Sequence, residues 1–384
     1  KDGDVESATK AAQLYDRVAV KGRGTELKAD TLMSMAFASA KKSELNRQTV
    51  ELAKSAAQEF DQLALVAATE AQKVDSLRKS AEALKLAGDK NAARERLERL
   101  LETKGLAPEI AASVRMDLAD VANDPAKMAG ILQSVVEAGG SQAYSARVKL
   151  AVSHIERAKA MLREKGEAAK STADGYTSAA VTLLEQAASA TTVPPSDQAS
   201  HEQALLTLGR IKMEQGQFPD AANRLRTLLQ TYPGTKENER AKLYLASCLL
   251  VEGTSGEGNA NRIKEVVELL EPLTKSTDPF LRSQAGVRTA RARLAAKQWQ
   301  EAITAATTTA DDAKGTIEEL IALSLAFNGY AEQKRVEQCQ VIETRMRRVL
   351  NDLPDTQFTG AGPEYTRAYW KTNWIDWFDN KPKP

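Results

Sequence analysis

Apolar positions along this chain recur at helical spacing, and no convincing run alternates with period two. Short connections separate the periodic stretches, which favours antiparallel neighbours. The pattern predicts an all-α fold. The predicted helices span residues 4–19, 29–41, 44–60, 70–87, 91–103, 108–122, 125–138, 141–166, 173–189, 198–215, 219–231, 236–251, 261–275, 279–296, 299–310, 315–331, 334–351 and 363–379.

One helix hairpin is especially well marked, between residues 204 and 233. Leu208 and Leu225 are predicted to face each other across it. Gly209 and Ala221 are small, which allows the two backbones to cross closely. Gly216 can adopt the positive φ that ends the first helix. This hairpin is predicted to be a repeating unit.

Other parts of the chain resemble this hairpin. The segment that begins at Gly88 overlays the segment that begins at Gly216 without a gap, so that the glycine, one alanine and three leucines coincide. A weaker overlay places Trp299 on Phe218 and puts Lys297 in the position of the glycine. These overlays predict divergent repeats along most of the chain.

The well-marked hairpin resembles the tetratricopeptide-repeat (TPR) consensus, whose helix pair occupies about 34 residues. The run from Leu228 to Thr235, with Tyr232 and Pro233, is similar to TPR proteins of the bacterial envelope, such as the TolA-binding cell-division coordinator and the outer-membrane assembly lipoprotein. The resemblance implies an α-α superhelix of divergent TPR-like antiparallel helix pairs. It also implies a protein-binding role, with no catalysis and no cofactor.

The same resemblance implies a partner-binding face, because the first helices of TPR pairs line a concave surface. Polar and apolar side chains are mixed on this face, which suits an extended or helical peptide segment. The implied contact residues on three successive first helices are Gln203, Leu206, Arg210, Met213 and Glu214, then Arg240, Leu243 and Ser247, then Gln284, Val287 and Arg291.

A tryptophan-rich segment ends the chain. Trp370, Trp374 and Trp377 fall on one face of the predicted last helix, together with Phe378. This face is predicted to be buried as a cap on the last repeat. Two alternatives are an anchor for a protein partner, since clustered tryptophans are frequent at interfaces, and contact with a membrane surface, which the nearby Asp376 and Asp379 disfavour.

Composition changes divide the chain into predicted regions. Residues 1–190 form an Ala-rich helical-repeat region, residues 191–197 a linker with Pro194 and Pro195, residues 198–352 TPR-like repeats, and residues 353–384 the aromatic C-terminal part. The stretch from Gly253 to Asn261 has glycines at the spacing of a phosphate-binding loop. It lacks the Lys and Ser/Thr that such a loop needs, and is predicted to be a long connection.

Charge and composition restrict the function further. The 384 residues include 53 basic and 52 acidic ones, so the net charge of +1 gives no field that would attract nucleic acid. No apolar run reaches the length of a transmembrane helix. The sequence opens at Lys1 without a methionine, which suggests cleavage or trimming. We expect a periplasmic or other extracytoplasmic envelope location, with the cytoplasm as the alternative.

Catalytic motifs are missing from the sequence. His154 and His201 are the two histidines, and neither has a neighbour at metal-binding or catalytic spacing. Cys248 lies in an apolar helix, where it is predicted to be a small core residue. The sequence therefore favours a non-catalytic scaffold for protein partners. A structural subunit that uses lateral helix packing without a peptide groove is the alternative, and an enzyme with an unfamiliar helical site is a third hypothesis.

Overall fold

The structure is a computed structural model, and it describes residues 14, 23–42, 46–103, 105–190, 192–254, 259–358 and 365–380. These residues form helices and connections without a strand, so the predicted all-α fold of TPR-like antiparallel helix pairs is confirmed. The helices are α1 Arg23–Lys42, α2 Arg47–Val66, α3 Glu70–Leu86, α4 Lys90–Leu101, α5 Pro108–Val121, α6 Pro125–Ala138, α7 Ala143–Lys165, α8 Lys170–Ala188, α9 Gln198–Glu214, α10 Phe218–Thr231, α11 Asn238–Thr254, α12 Asn259–Leu270, α13 Pro279–Ala295, α14 Trp299–Asp312, α15 Ile317–Glu332, α16 Val336–Asp352, α17 Arg367–Trp370 and α18 Asp376–Asn380.

The chain divides into two compact units. Unit 1 extends to Ser200 and unit 2 begins at His201, so the division falls in the first turn of α9. The predicted linker at 191–197 lies just before it. Within each unit, consecutive helices pack against each other. In unit 2 the first helices of successive pairs also touch, because α11 contacts α13 and α13 contacts α15.

The hairpin turns repeat one hydrogen-bonding device. Gly88, Gly216, Lys297 and Lys334 all have positive φ, between 58° and 79°. At each turn the amide of this residue donates to a carbonyl three residues earlier, and the next amide donates five residues back, as Gly216 N to Met213 O at 3.0 Å. This is the Schellman ending of a helix. The overlay that put Lys297 in the glycine position predicted one of these turns; the turn at Lys334 was missed.

Small residues allow the helices to approach closely in unit 2. A Cβ atom built on Gly209 would lie 2.8 Å from Leu225 Cγ, and one built on Gly286 would lie 3.0 Å from Thr309 Cβ. Ala221 is completely buried. Gly209 and Leu225 therefore meet across the hairpin of α9 and α10, which confirms the close crossing predicted at Gly209.

Three sequence predictions need correction. Helix α1 starts at Arg23, six residues before the predicted start at 29. The long connection predicted between Gly253 and Asn261 is shorter in the structure, since α11 continues to Thr254 and α12 begins at Asn259. The predicted helix 363–379 starts only at Arg367 and changes to π-helical geometry over Lys371–Ile375. The predicted helix 4–19 lies outside the described residues except for Leu14.

Candidate functional site

The predicted partner-binding face begins on α9. Gln203 and Glu214 are exposed, and Leu206, Arg210 and Met213 are half-buried. Arg210 donates to the carboxylate of Glu214 at 2.9 Å, one helical turn further along. This pair is accessible to solvent, where it adds little stability. The α9 part of the face therefore offers an apolar strip beside a solvent-accessible ion pair.

The predicted contacts on α11 and α13 are only partly accessible. Arg240 is exposed and forms an ion pair with Glu237 at 3.2 Å. Leu243 and Val287, however, are only 3% and 4% exposed. They pack between helices and cannot touch a partner in this conformation. The reason is that consecutive first helices contact each other, which buries the apolar residues between them.

A chain of hydrogen bonds crosses the first helices of unit 2. Arg288 Nε donates to Ser247 Oγ at 2.6 Å, which connects α13 to α11. The same guanidinium also donates to Gln284, whose Nε2 donates to Glu318 Oε1 on α15 at 2.8 Å. We call Ser247, Arg288, Gln284 and Glu318 the polar ladder. It fixes the relative positions of three helices and places polar groups in order along the face.

The ladder includes two residues that the sequence had assigned to the face, Ser247 and Gln284. Gln284 is buried, and its side-chain amide donates to Glu318 within the ladder, so it is not available to a partner. Arg291, the last predicted contact, is half-buried. Arg288 and Glu318 were missed. Arg288 follows Gln284 by four residues, the spacing of neighbours on one helix face, and this signal could have found it.

A cavity of about 650 Å³ adjoins the ladder at the start of α13 and α15. Phe280, in the first turn of α13, lines it and is 61% exposed. Ile317 and Tyr365 add apolar surface, and Lys314 adds a positive charge to the lining. An exposed aromatic ring beside a cavity of this size is a suitable receptor for an apolar side chain. Sequence reasoning missed Phe280, because one exposed aromatic in a helix start gives no periodic signal.

Two hydroxyl groups join successive hairpins of unit 2. Thr235 Oγ1 donates to Glu202 at 2.7 Å, and Ser276 Oγ donates to Glu239 at 2.8 Å. Each hydroxyl belongs to the connection before a first helix, and its partner lies on the preceding first helix. Each also accepts an amide two residues further along, such as Asp278 N. These contacts hold the spacing of the first helices.

The C-terminal aromatic segment packs on the last hairpin. Trp370 and Phe378 are buried in one apolar cluster with Phe327 of α15. The Trp374 ring meets the Phe327 ring edge-on, with centroids 5.6 Å apart. Trp377 is different, since it is 50% exposed although it also touches Phe327. Of the three tryptophans, Trp370 is therefore buried, Trp374 is half-buried and Trp377 has an accessible ring.

Arg367 fixes the start of this segment. Its guanidinium donates to the carbonyl oxygens of Leu350 and Leu353 at the end of α16, at 2.7 and 2.5 Å, and to Asp355 at 3.0 Å. The carbonyls at a helix end have no partner within the helix, and an arginine satisfies them well. The aromatic segment is therefore attached to α16 by polar contacts as well as by its rings.

The first helices of unit 1 are connected by charge pairs. Asp120 on α5 lies 3.1 Å from Lys85 Nζ of α3 and 2.6 Å from Lys149 Nζ of α7. Burial would raise the pKa of Asp120, but Lys149 and Lys85 outweigh it through hydrogen bonds and charge, and the pKa is lowered. The charge of Asp120 is therefore balanced by lysines on both neighbouring first helices.

Two further residues singled out in the sequence are Cys248 and His154. Within the described ranges, no three His, Cys, Asp or Glu side chains are grouped as metal ligands, and no helix is long and apolar enough to span a membrane. Cys248 is buried, as predicted. The His154 ring lies beside the Tyr176 ring, with centroids 5.5 Å apart and the planes tilted by 31°. Burial, followed by the charge of Arg157, lowers the pKa of His154.

No protein-family model and no curated protein matches the chain. Solved structures align with most of it at low identity. The apo form of the quorum sensor NprR from B. thuringiensis is 12% identical over 90% of this chain and 93% of that chain, with a TM-score of 0.39. The P58(IPK) TPR domain is 13% identical over 86% of this chain and 94% of that chain, with a TM-score of 0.30. The TPR2AB domain of yeast Sti1 in complex with pHSP90 is 14% identical, over 84% and 98%, with a TM-score of 0.23. TM-scores this low carry no argument about the site.

Proposed function

We propose that this protein is a non-catalytic scaffold that binds a segment of a protein partner on the first-helix face of unit 2. The observation that carries the proposal is the cavity of about 650 Å³ beside the polar ladder, with the ring of Phe280 exposed in it. A partner can place an apolar side chain against this ring. Its backbone can then run along α11 and α9, where Arg240, Arg210 and Leu206 are accessible.

The rigid ladder supports this assignment. Ser247, Arg288 and Gln284 hold α11 and α13 in a fixed arrangement before any partner arrives. A preorganised surface loses less entropy on binding than a mobile one. Leu243, Val287 and Gln284 support the face from beneath, so the proposed contacts are the accessible residues only.

The experiment is capture of partners from native extract, followed by mass spectrometry, with a photo-crosslinking amino acid placed at Phe280. The matched control carries the same amino acid at Val341 of α16, which is 67% exposed on a second helix. The proposal expects a protein that crosslinks at Phe280 and not at Val341. Charge reversal at Arg210 and Arg240 should weaken its capture. Equal crosslinking at both positions would refute the groove assignment. So would partner capture that is unchanged by charge reversal at Arg210 and Arg240.

The proposed partner belongs to a bacterial envelope complex, and the proposed location is the periplasm or another extracytoplasmic compartment. Support comes from the similarity of the run around Tyr232 and Pro233 to envelope TPR proteins. Tyr232 has a structural role there, since its hydroxyl lies 2.7 Å from His201 Nδ1. Fractionation of cells that produce the full-length protein tests the location. Recovery with the cytoplasmic fraction would reject it.

A second contact for the partner is the accessible ring of Trp377. The buried Trp370 serves the cap, so replacing Trp370 with alanine should lower the melting temperature strongly. Replacing Trp377 with alanine should change the melting temperature little and reduce partner capture if the ring is an anchor.

The alternative function is a structural subunit that packs side by side with other copies. It predicts that the protein associates in sedimentation velocity as its concentration rises.

A further inference from the structure

A second cavity lies on the other side of α13. Its volume is about 360 Å³, and it opens between α12 and α14 with α13 as its floor. We call it the threonine cleft, because Thr274, Thr289, Thr304, Thr308 and Thr309 all line it. Its size is within the range of small-molecule sites, about 300–1,000 Å³.

The threonine cleft lies mainly on the side of α13 away from the polar ladder; of its lining residues, Ser283 and Asp312 also line the cavity beside Phe280. Its floor is the stripe of Arg282, Gly286, Thr289 and Arg293 on α13. The ladder residues Gln284 and Arg288 lie on the opposite side of the same helix, since each residue advances the helix by about 100°. The absence of a side chain at Gly286 lets Thr309 of α14 come very close to the helix backbone, which forms one end of the floor.

Most hydroxyl groups in the cleft already have an acceptor for their proton. Thr304 donates to Gln300 O at 3.0 Å, Thr309 to Ala305 O at 2.7 Å and Thr274 to Glu271 O at 2.8 Å. These are bonds of a threonine to its own helix or turn. Such residues present methyl groups and oxygen lone pairs to a ligand, and no hydroxyl proton.

Thr289 is the exception among the buried threonines of the cleft. It is 9% exposed, and its hydroxyl oxygen makes no hydrogen bond within the described part of the chain. The oxygen itself is shielded from water, so the remaining exposed surface of the residue belongs to its other atoms. Helical threonine populates two χ1 rotamers. Rotation can bring the hydroxyl to the cleft without breaking any bond, and a ligand acceptor there would supply the partner that a buried hydroxyl needs.

The charges around the cleft nearly cancel. Arg282 and Arg293 are accompanied by Glu271, Glu301 and Asp312. Arg282 donates to Ser276 O at 2.7 Å and Arg293 to Gln298 at 2.6 Å, so both guanidinium groups are partly used. Neither an anion nor a cation is selected. A neutral ligand suits the mixture of methyl groups and balanced charge better.

We propose that the threonine cleft binds a small neutral molecule with a mainly apolar body and a hydrogen-bond acceptor, such as a carbonyl group, that receives the Thr289 hydroxyl proton. The ligand is enclosed on three sides by α12, α13 and α14. The inference does not depend on the partner face, because Thr289 lines the threonine cleft and does not line the cavity beside Phe280, although Ser283 and Asp312 line both.

The test is a fluorescence titration of the full chain with Nile red, a neutral aromatic dye that carries a carbonyl acceptor. Ala305→Trp should fill the cleft, since Ala305 is half-buried on its wall. Thr289→Val keeps the side-chain shape and removes the hydroxyl. Thr304→Val is the matched control, because it removes a hydroxyl that already donates to its own helix. Circular dichroism confirms that each variant is folded.

The proposal expects saturable binding of one dye per chain. Ala305→Trp should abolish it, Thr289→Val should raise the dissociation constant about fivefold or more, and Thr304→Val should leave it nearly unchanged. Absence of saturable binding would overturn the proposal. So would binding that survives Ala305→Trp, or equal weakening by both valine variants. Partner capture should stay unchanged in Ala305→Trp, which separates a failure here from a failure of the scaffold function.

Discussion

Replacing Gly209 with alanine tests the close helix crossing on which the repeat architecture depends. The new Cβ would lie 2.8 Å from Leu225 Cγ and 2.9 Å from Leu225 Cδ2, too close for normal contact. Leu225 is completely buried, so it has little room to move. Overpacking of this kind costs about 1–3 kcal/mol. Alanine in place of glycine in a helix gains about 1 kcal/mol. We expect a net loss of about 1 kcal/mol, the difference between these two effects.

Gly175 provides the matched control. It is also helical, on α8, and no described atom lies within 4 Å of a Cβ built on it. Gly175→Ala should therefore stabilise unit 1 by up to about 1 kcal/mol, from helix propensity alone. The difference between the two substitutions isolates the cost of the close approach.

Urea unfolding measures both effects. Circular dichroism follows the whole chain, whereas tryptophan fluorescence reports on unit 2, because all four tryptophans follow Ser200. In a Leu225→Ala background the clash is gone, and Gly209→Ala should become stabilising. If Gly209→Ala stabilises the protein with Leu225 intact, as Gly175→Ala does, the two helices do not cross closely and the packing account is wrong.

Four further predictions concern buried polar groups. Arg345→Met should destabilise unit 2 by about 3 kcal/mol in urea unfolding, because the carboxylate of the buried Glu319, 2.7 Å from the guanidinium, loses its ion-pair partner. Ser276→Ala should cost about 1–2 kcal/mol in the same assay, since it removes a hydrogen bond to a carboxylate on the preceding first helix. Thr289→Val should stabilise by about 1 kcal/mol, because its buried hydroxyl has no partner within the described residues. Burial lowers the pKa of His154 below 6.5, so the folded state binds its proton less readily than the unfolded state; the stability that this residue contributes is complete above about pH 6.5 and decreases at lower pH.

Each of these predictions has a control. Arg345→Met combined with Glu319→Leu should recover much of the lost stability, and no recovery would mean that Arg345 acts through other contacts. For the serine, Thr277→Ala changes the exposed next residue and should be nearly neutral. Loss of stability in Thr289→Val would show that the hydroxyl is satisfied. His154→Gln should make the free energy of unfolding less dependent on pH below 6.5. An unchanged slope would mean that other groups cause the pH dependence.

Local residue spacing was sufficient to predict the helices and most of their turns. Periodicity placed nearly every helix, because an amphipathic helix is defined by residues three and four apart in the chain. Gly88 and Gly216 marked two hairpin turns, because positive φ is a local demand that glycine meets at low cost. Lys334 was missed, since a lysine in the same conformation gives no sequence signal.

Packing between helices determines which side chains of the partner face are accessible, and the amino-acid pattern did not contain this information. Leu243 and Val287 satisfied the repeat spacing of groove residues, and are buried because neighbouring first helices touch there. The hydrogen bond from Arg288 to Ser247 joins residues 41 positions apart. The Thr289 hydroxyl has no hydrogen bond within the residues that the structure describes, and this depends on the positions of three helices. Accessibility and hydrogen bonding between helices are set by distances across the fold, and local residue spacing does not encode them.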